Sequence, residues 1–221
     1  MASSTTSLKS PRLLEDVLEY LPVSATVTYR TGQRIYGPKD LSKRIYLVLA
    51  GTVGISQIAA DGREVLLEIV RAEELFGESA FVDAFRCSEQ ATAIENCSLM
   101  AWAISDMEDL VTRRPRLAVA LLQIIAQRNA EFFRRIESLS IDCAERRVAL
   151  SLIRFSERLG TLEPDGSMRM MPLTHRLLSL YVGTSREVVT KCMNRLRKQG
   201  YVAYSRRGIY LYCDALMESI S

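Results

Sequence analysis

The sequence predicts an α+β protein built from three successive parts. Between residues 25 and 102, short apolar segments alternate with turn residues, which indicates an N-terminal β-roll similar to a double-stranded jelly roll. Residues 115–140 carry an apolar stripe without a helix breaker, which predicts one long helix. Residues 173–212 predict two helices and a hairpin, the arrangement of a winged helix-turn-helix.

The composition is typical of a globular protein outside the membrane. Of the 221 residues, 48% are hydrophobic and 25% are charged, and no apolar run is long enough to span a bilayer. The N-terminus lacks the apolar stretch of a secretory signal. The five cysteines form no C-x-x-C pair, so we expect a cytoplasmic protein with no metal and no other cofactor.

Turn residues separate seven predicted strands in the roll. Asp61-Gly62 between two apolar runs is a strong hairpin signal. A short amphipathic helix over residues 12–21 precedes the strands, and Ser105 and Asp106 predict the cap of a helix over 107–113 that follows them. The strands are predicted at residues 26–29, 33–36, 45–49, 52–58, 65–70, 91–93 and 98–103.

The long helix carries an apolar stripe with a basic residue in its middle. A stripe on so long a helix usually packs against a second helix, so we predict a parallel homodimer along it. The alternative is that the stripe packs wholly on the roll. The stripe consists of Leu117, Leu121, Ile125, Arg128, Phe132, Ile136 and Leu139.

These patterns divide the chain into four segments. We expect a disordered tail over residues 1–11 and the roll, as an effector-sensing domain, over 12–113. The dimerisation helix and a hinge near Asp142 follow over 114–141, and the winged-helix domain occupies 142–221.

The two C-terminal helices meet at a short break. Gly183 allows the turn because glycine adopts a positive φ without steric cost, and Thr184 or Ser185 caps the second helix. Gly200 ends that helix. Its apolar face consists of Val188, Val189, Cys192, Met193 and Leu196.

Basic residues are concentrated in the C-terminal part. Residues 161–221 contain nine Lys and Arg against five Asp and Glu, a net +4, whereas the whole chain carries only +3. A hairpin predicted over 201–212 has Arg206 and Arg207 at its tip, where they suit phosphate contact. This distribution is typical of a surface that binds DNA, although a solvated face gives the same charge.

The order of roll, long helix, hinge and winged helix resembles that of the bacterial transcription factors related to the cyclic-AMP receptor protein and FNR. The resemblance spans about residues 13 to 217. The recognition-helix motif is its most specific part. The residues that carry the resemblance are Ile45-Tyr46-Leu47-Val48-Leu49-Ala50-Gly51-Thr52-Val53, Phe76-Gly77-Glu78-Ser79, Arg147-Val148-Ala149, and Thr184-Ser185-Arg186-Glu187 through Lys191.

The resemblance implies a homodimer that reads a palindromic, TGTGA-like site on double-stranded DNA. Arg186 would donate two bonds to guanine O6 and N7, Glu187 would accept from cytosine N4, and Lys191 would reach a second guanine. The turn at residues 163–166 lies where relatives touch RNA polymerase, so the polymerase is an expected partner. The phosphate contacts would come from Thr174, His175 and Ser185.

The expected effector site departs from the family pattern. The position of the family's phosphate-binding arginine falls on Cys87, with Arg86 and Ser88 on either side. If the loop is one residue longer than in the family pattern, Arg86 takes the place of the family's arginine in binding phosphate. The residues that match the family's phosphate-binding cassette are Gly77, Glu78 and Ser79.

The helix hydroxyls that would hold a nucleobase fall on Phe132 and Phe133. These two rings either hold the dimer together or line an apolar effector pocket. We therefore expect a transcription regulator with an unknown small-molecule effector other than conventionally bound cyclic AMP, or with none. The alternative is a regulator that depends on cyclic AMP, cyclic GMP or a cyclic dinucleotide.

Other functional classes fit the sequence poorly. His175 is the only histidine, which leaves no Ser-His-Asp or multi-histidine metal site, so we do not expect an enzyme. The cysteines are not clustered as an iron–sulfur centre requires. A module that uses the winged helix only to bind proteins is a third alternative, and it would show no salt-dependent binding to DNA.

Overall fold

The structure of the protein is a computed structural model that describes residues 16–38, 43–82, 88–205 and 208–220. Two β-sheets form the N-terminal roll, a 27-residue helix follows, and helices with a third sheet form the C-terminal domain. The predicted α+β class and the order of its parts are confirmed.

Eight strands of the described residues form the roll. In chain order they are β1 (Thr26–Tyr29), β2 (Arg34–Tyr36), β3 (Arg44–Ala50), β4 (Val53–Ile58), β5 (Glu64–Val70), β6 (Leu75–Phe76), β7 (Glu89–Ala93) and β8 (Cys97–Ala103). One sheet has the order β1-β8-β3-β6 and the other β2-β7-β4-β5, so β5 is an edge strand. All seven predicted strands occur, and β6 is an additional one.

Apolar and aromatic side chains fill the space between the two sheets of the roll. The rings of Tyr46 and Phe76 stack with centroids 4.9 Å apart, and the ring of Tyr36 lies 5.7 Å from that of Tyr46. Side chains on alternate strand positions point inward, which is why β-branched residues recur in this core. Fully buried members include Val48, Val53, Val70 and Ala91.

The edge strand β5 contains a bulge. Ile55 of β4 pairs with Glu68, and Ser56 pairs with Leu66, so Leu67 is one extra residue in β5. A bulge bends a strand and increases its twist locally. It occurs beside Glu68, which is only 9% exposed although it is charged.

Six α-helices lie in the described residues, in chain order α1 (Ile104–Arg113), α2 (Pro115–Ile141), α3 (Ala144–Leu159), α4 (His175–Val182), α5 (Arg186–Lys198) and α6 (Cys213–Ile220). The C-terminal sheet contains β9 (Thr161–Leu162), β10 (Met168–Met170), β11 (Val202–Ser205) and β12 (Gly208–Leu211), in the order β11-β12-β10-β9. The predicted helix-turn-helix and hairpin are confirmed, whereas α6 was not predicted.

The helix predicted over residues 12–21 is only partly within the described residues. Residues 12–15 lie outside them, and Val17–Tyr20 forms a 3₁₀ turn instead of an α-helix. The Asp16 carboxylate accepts a hydrogen bond from the amide of Leu18 at 2.9 Å, which caps this turn. A tight turn of four residues is the usual length of a 3₁₀ segment.

The predicted cap of α1 is wrong. The helix already begins at Ile104, and neither Ser105 nor Asp106 caps it with its side chain. The amide of Ile104 donates to the carbonyl of Lys43 at 3.0 Å, so the pairing of β3 and β8 leads directly into the helix.

Helix α2 buries one face against the roll. Leu117 and Ala120 are fully buried and share a core with Trp102 and Met107. The side chain of Arg128 is only 12% exposed and is directed at the roll. Leu117 and Arg128 were predicted to face a second copy, but the roll of the same protomer covers them, so neither belongs to an exposed dimer surface.

The exposed apolar side chains of α2 follow a different line along the helix. Of the predicted stripe, Ile125, Ile136 and Leu139 are exposed, whereas Leu121 and Phe132 are half-buried within the protomer. Exposed residues at alternating spacings of three and four define what we call the α2 seam: Val119, Leu122, Ala126, Asn129, Phe133 and Ile136. This spacing is that of a heptad repeat.

Candidate nucleic-acid interface and effector site

The break between α4 and α5 lies at the predicted residues. Thr174 caps α4, since its Oγ1 accepts from the amide of Leu177 at 3.1 Å. Gly183 ends α4 with a φ of 70°, in the left-handed region that favours glycine. Ser185 caps α5, because its Oγ accepts from the amide of Val188 at 3.3 Å. Of the two predicted cap residues, the structure selects Ser185.

The two faces of α5 differ sharply in chemistry. Val189, Cys192, Met193 and Leu196 are buried in the core of the C-terminal domain, which confirms the predicted apolar face. The opposite face is open to solvent and lines a shallow groove. The groove consists of Arg186, Glu187, Thr190, Lys191, Asn194, Arg195 and Lys198.

The three residues expected to read bases lie together in this groove. Arg186, Glu187 and Lys191 are exposed within the first two turns of α5. The amide of Glu187 itself and the hydroxyl of Ser185 lower the pKa of the Glu187 carboxyl, so this group is ionised at neutral pH. An ionised carboxylate is an acceptor only, as contact with a cytosine amino group requires.

His175 connects the first turn of α4 to the recognition helix. The hydroxyl of Thr190 donates to the carbonyl of Arg186 at 2.8 Å, so its oxygen accepts from His175 Nδ1 at 2.9 Å. Partial burial, and secondarily the charge of Arg186, lowers the pKa of His175. The neutral ring therefore carries its proton on Nδ1 and presents an unprotonated Nε2.

Two basic residues near the interface are paired within the protein. Arg195 lies 2.6 Å from Glu145 at the first turn of α3, and Arg176 lies 3.6 Å from Glu64 of the roll. These pairs could not be predicted from the sequence, because the partners are distant in the chain. The other two expected DNA-contacting residues, Arg206 and Arg207 of the hairpin tip, lie outside the described residues.

The start of the expected effector site forms a short 3₁₀ turn at Glu78–Phe81. Gly77 precedes it with a φ of 91°, and a Cβ at this position would lie 2.7 Å from the carbonyl oxygen of Arg44. Only glycine fits here without strain. Ser79 donates to the carboxylate of Glu89 at 2.7 Å.

Glu89 lies at the expected effector site but was not predicted from the sequence. Its Oε1 accepts from the hydroxyl of Tyr36 at 2.6 Å as well as from Ser79. Burial, more than any other factor, raises the pKa of Glu89, and its two hydrogen bonds oppose that change. In the sequence, the available signal for this role was a charged residue in a strand whose side chains face the core.

Glu78, expected to contact an effector, is already paired inside the protein. Its carboxylate accepts from the guanidinium of Arg128. A second nitrogen of Arg128 donates to the carbonyl of Leu75, and its Nε lies 3.1 Å from Glu68. Burial by itself lowers the pKa of Arg128, but Glu68 and Glu78 more than offset it, so the pKa is raised and the group stays charged.

The two phenylalanines expected at the effector site lie elsewhere. Phe133 is 63% exposed on the α2 seam, so it cannot fill a pocket within its own protomer. Phe132 is half-buried at the junction of the roll and the C-terminal domain, beside Arg135 and Tyr181. Adjacent residues of a helix point about 100° apart, which is why the two rings do not share one environment.

Of the remaining expected effector residues, only Ser88 is within the described residues. Arg86 and Cys87 are outside the described residues, and the hydroxyl of Ser88 accepts from the side-chain Nε2 of Gln57. Within the described ranges, no group of three or more His, Cys, Asp or Glu side chains has the geometry of a metal site. No helix in those ranges is long and apolar enough to cross a membrane.

Comparison with known proteins agrees with this architecture. Residues 26–114 match the model of a cyclic nucleotide-binding domain, and residues 146–218 match that of a Crp-like helix-turn-helix domain. A protein named cyclic AMP receptor protein from Thermus thermophilus is 30% identical over 193 residues, covering 87% of this chain and 86% of the relative.

Solved structures agree as well. A CRP/FNR-family transcriptional regulator from Thermus thermophilus has 31% identity and a TM-score of 0.68, covering 88% of this chain and 97% of the other. FixK2 from Bradyrhizobium japonicum, at 23% identity and a TM-score of 0.77, covers 89% of this chain and 97% of its own and shares the fold.

A sensor-type roll joined to an exposed, capped recognition helix defines a DNA-binding transcription regulator. The relatives described above are regulators of this class and not enzymes. The chain belongs to the CRP/FNR family of transcription regulators.

His175 is expected to make DNA binding depend on pH. A neutral His175 offers no N–H to a phosphate, whereas the protonated ring donates from Nε2, so a phosphate raises its pKa in the complex above that of the free protein. The protein–DNA complex then binds more protons than the free protein does. The affinity for DNA should therefore rise as the pH falls through the pKa of His175 in the complex, by up to about tenfold per pH unit for each protomer.

Fluorescence anisotropy with operator DNA between about pH 5.5 and 8, at constant ionic strength, measures this slope. His175→Gln should flatten it, because glutamine donates a hydrogen bond without titrating. An equal slope in His175→Gln would show that another group is responsible.

Proposed function

We propose that this transcription regulator binds, as a homodimer, to a palindromic DNA site with TGTGA-like half-sites, and that it does so without conventionally bound cyclic AMP. The observation that carries the first part is the exposed groove of α5, where Arg186, Glu187 and Lys191 lie beyond the Ser185 cap. A guanidinium, a carboxylate and an ammonium in this order suit guanine, cytosine and a second guanine in the major groove.

Phosphate contacts are proposed for the residues that surround the base-reading groove. Thr174 and Ser185 are exposed at the N-termini of α4 and α5, where free amides favour an anion. His175 is the first residue of α4 and is bonded to Thr190 of α5. Arg206 and Arg207 complete the proposed set because the sequence predicts them at the tip of the hairpin.

A parallel homodimer is supported by the α2 seam. Its members are exposed in the protomer, and apolar residues alternate at heptad spacing around one polar residue, Asn129. Two seams side by side would bury Leu122, Phe133 and Ile136 against their counterparts. The two recognition helices of such a dimer would reach successive major grooves, about 34 Å apart.

The absence of a conventional cyclic-AMP site is supported by the contacts around Glu78. The carboxylate is paired with Arg128, and the rings of Tyr36, Tyr46 and Phe76 occupy the neighbouring core. Position 132 or 133, where a hydroxyl would hold the base, carries an apolar ring. We propose that the roll, over residues 12–113, senses a different small molecule or none.

The second candidate is a cyclic-nucleotide-dependent regulator. It is favoured by the match of residues 26–114 to the cyclic nucleotide-binding domain and by the glycine-containing cassette at Gly77. Both candidates share the same proposed DNA-reading surface. They differ only in what binds to the roll.

RNA polymerase is the proposed protein partner. The turn at residues 163–166 is stabilised by Asp165, whose carboxylate accepts from the amide and the hydroxyl of Ser167 at 3.0 and 2.6 Å. Glu163 pairs with Arg169 beside it. A turn held by its own hydrogen bonds suits recognition, because little ordering is lost on binding.

Replacing Arg186 tests the base-reading role. Arg186→Ala should weaken binding to the preferred site by about 1–3 kcal/mol and relax selectivity at one base position, because a bidentate contact to guanine is lost. Selection of bound sequences from a random DNA library measures both effects. Lys198→Ala, a basic residue at the end of the groove, is the control and should weaken all sequences alike. A uniform loss for Arg186→Ala would assign it to phosphate binding.

Calorimetry distinguishes the two candidates for the roll. The full-length protein should release no heat with cyclic AMP, cyclic GMP or cyclic di-GMP, because Glu78 and the surrounding core are occupied by protein groups. Saturable heat with one of these nucleotides, lost in Gly77→Ala, would support the second candidate instead.

Asn129 tests the dimer. One polar residue in an apolar seam selects register and oligomeric state at the expense of stability. Asn129→Leu should therefore tighten association and add higher oligomers, as measured by sedimentation equilibrium. Leu122→Ala should weaken the dimer. If neither substitution changes association, the seam is not the dimer interface.

A further inference from the structure

The free edge of β5 is covered by two arginines. Among the strands that the structure describes, β5 is the last of its sheet, so its outer carbonyls have no partner in another of these strands. Arg135 of α2 donates to the carbonyls of Leu66 and Leu67 at 2.7 and 3.0 Å. Arg158 of α3 donates to the carbonyl of Ile69 at 3.3 Å. Covering an edge in this way satisfies its backbone groups and blocks pairing with another chain.

The same two arginines hold the C-terminal domain against this edge. Arg158 belongs to the first helix of that domain. Arg135 donates to the carbonyl of Tyr181 in α4 at 2.6 Å, and its guanidinium lies 4.2 Å from the centre of the Tyr181 ring. Leu66 and Ile69 of β5 are buried in the same core as the apolar residues of α3, α4 and α5. The winged helix is therefore docked on the β5 edge.

Glu68 joins this docking site to the expected effector site. One carboxylate oxygen of Glu68 lies 3.1 Å from Arg158 Nη2, and the other lies 3.1 Å from Arg128 Nε. Arg128 in turn is bonded to Glu78. The path Glu78–Arg128–Glu68–Arg158 therefore runs without a gap from the cassette to the DNA-binding domain.

The charges along this path are unequal in number. Arg158 also lies 3.1 Å from Glu74 and 3.4 Å from Glu131, so the carboxylates outnumber the two guanidinium groups among these contacts. When one arginine loses a carboxylate partner, it interacts more strongly with its remaining carboxylate. The reason is that each buried charge must be compensated. Glu68 is the one carboxylate that the two arginines share.

We propose that Glu68 is a positioning residue that couples the Glu78 site to the docking of the winged helix on the β5 edge. When Glu78 is neutralised or occupied by a ligand, Arg128 depends more strongly on Glu68, and the bond between Glu68 and Arg158 weakens. The winged helix then leaves the edge more often. The coupling rests on the proposed sensor role of the roll, whereas the docking contact stands independently of it.

Docking also affects a basic residue next to the DNA-reading surface. Glu64, at the start of β5, pairs with Arg176 in the first turn of α4, beside Thr174 and His175. In the docked winged helix, Arg176 is therefore paired with a carboxylate of the roll. Undocking releases that cation beside the proposed phosphate contacts.

Hydrogen exchange of the full-length protein, followed by mass spectrometry, tests the coupling. Glu68→Gln has the same shape, but its amide accepts from only one arginine and turns a donor towards the other. Exchange in α4 (residues 175–182) should accelerate on the order of tenfold, as expected for the loss of a coupled ion pair. Exchange in the buried face of α5 should not change, which shows that the domain remains folded.

The double variant gives the decisive result. Glu78→Gln alone should accelerate exchange in α4 several-fold, and in the Glu68→Gln background it should add nothing. Asp109→Asn, which removes a charge paired with Arg113 on exposed α1, is the matched control and should leave α4 unchanged. Arg158→Lys, which keeps the charge but loses the planar fork, should reproduce Glu68→Gln. Additive effects of Glu78→Gln and Glu68→Gln, or unchanged α4 exchange in Glu68→Gln, would overturn the proposal.

Operator binding, measured on the same samples, separates this proposal from the proposed function. Specific DNA binding with additive exchange effects removes the coupling and leaves the DNA-reading role intact. Non-additive exchange effects without specific DNA binding support the coupling and contradict the proposed function.

Discussion

The structure depends on the compensation of one buried cation, Arg128. Removing a guanidinium from water costs several kcal/mol unless opposite charges and hydrogen-bond acceptors replace the solvent. Glu68, Glu78 and the carbonyl of Leu75 do so here, and they belong to three successive parts of the roll. Because these partners are fixed in the fold, the centre of α2 has one position on the roll. This contact sets the orientation of α2, and α2 leads into the C-terminal domain.

The orientation of α2 assigns a task to each of its faces. The face with Leu117 and Arg128 is used within the protomer, and the face with Leu122 and Phe133 is exposed and forms the proposed dimer surface. Further along, Arg135 connects the roll edge to Tyr181 of the winged helix. One helix therefore contacts the sensor-type roll, the proposed partner and the DNA-binding domain. Because packed interiors transmit strain, a displacement at one of these contacts is expected to displace the others.

The two ends of the molecule are specified by different kinds of interaction. The recognition helix is defined by neighbours in the chain: a serine cap, a glycine with positive φ, and an apolar face that repeats every three to four residues. The proposed effector region is defined by contacts between distant residues, such as Glu89 with Tyr36 and Glu78 with Arg128. The residues that define the recognition helix are therefore separate from those that define the proposed effector region.

Local rules of sequence were sufficient for seven of the eight described roll strands, the long helix and the helix-turn-helix, since hydrophobic periodicity, glycine turns and caps act over a few residues. They were insufficient for the stripe on α2, where Leu117 and Arg128 share a spacing with residues that face solvent. Only the folded chain decides which face meets the roll, because burial depends on residues some 50 positions away, as for Arg128 and Glu78. The same reason explains why Glu68 and Arg158 were missed: each is an ordinary charged residue until the tertiary structure brings them within 3.1 Å.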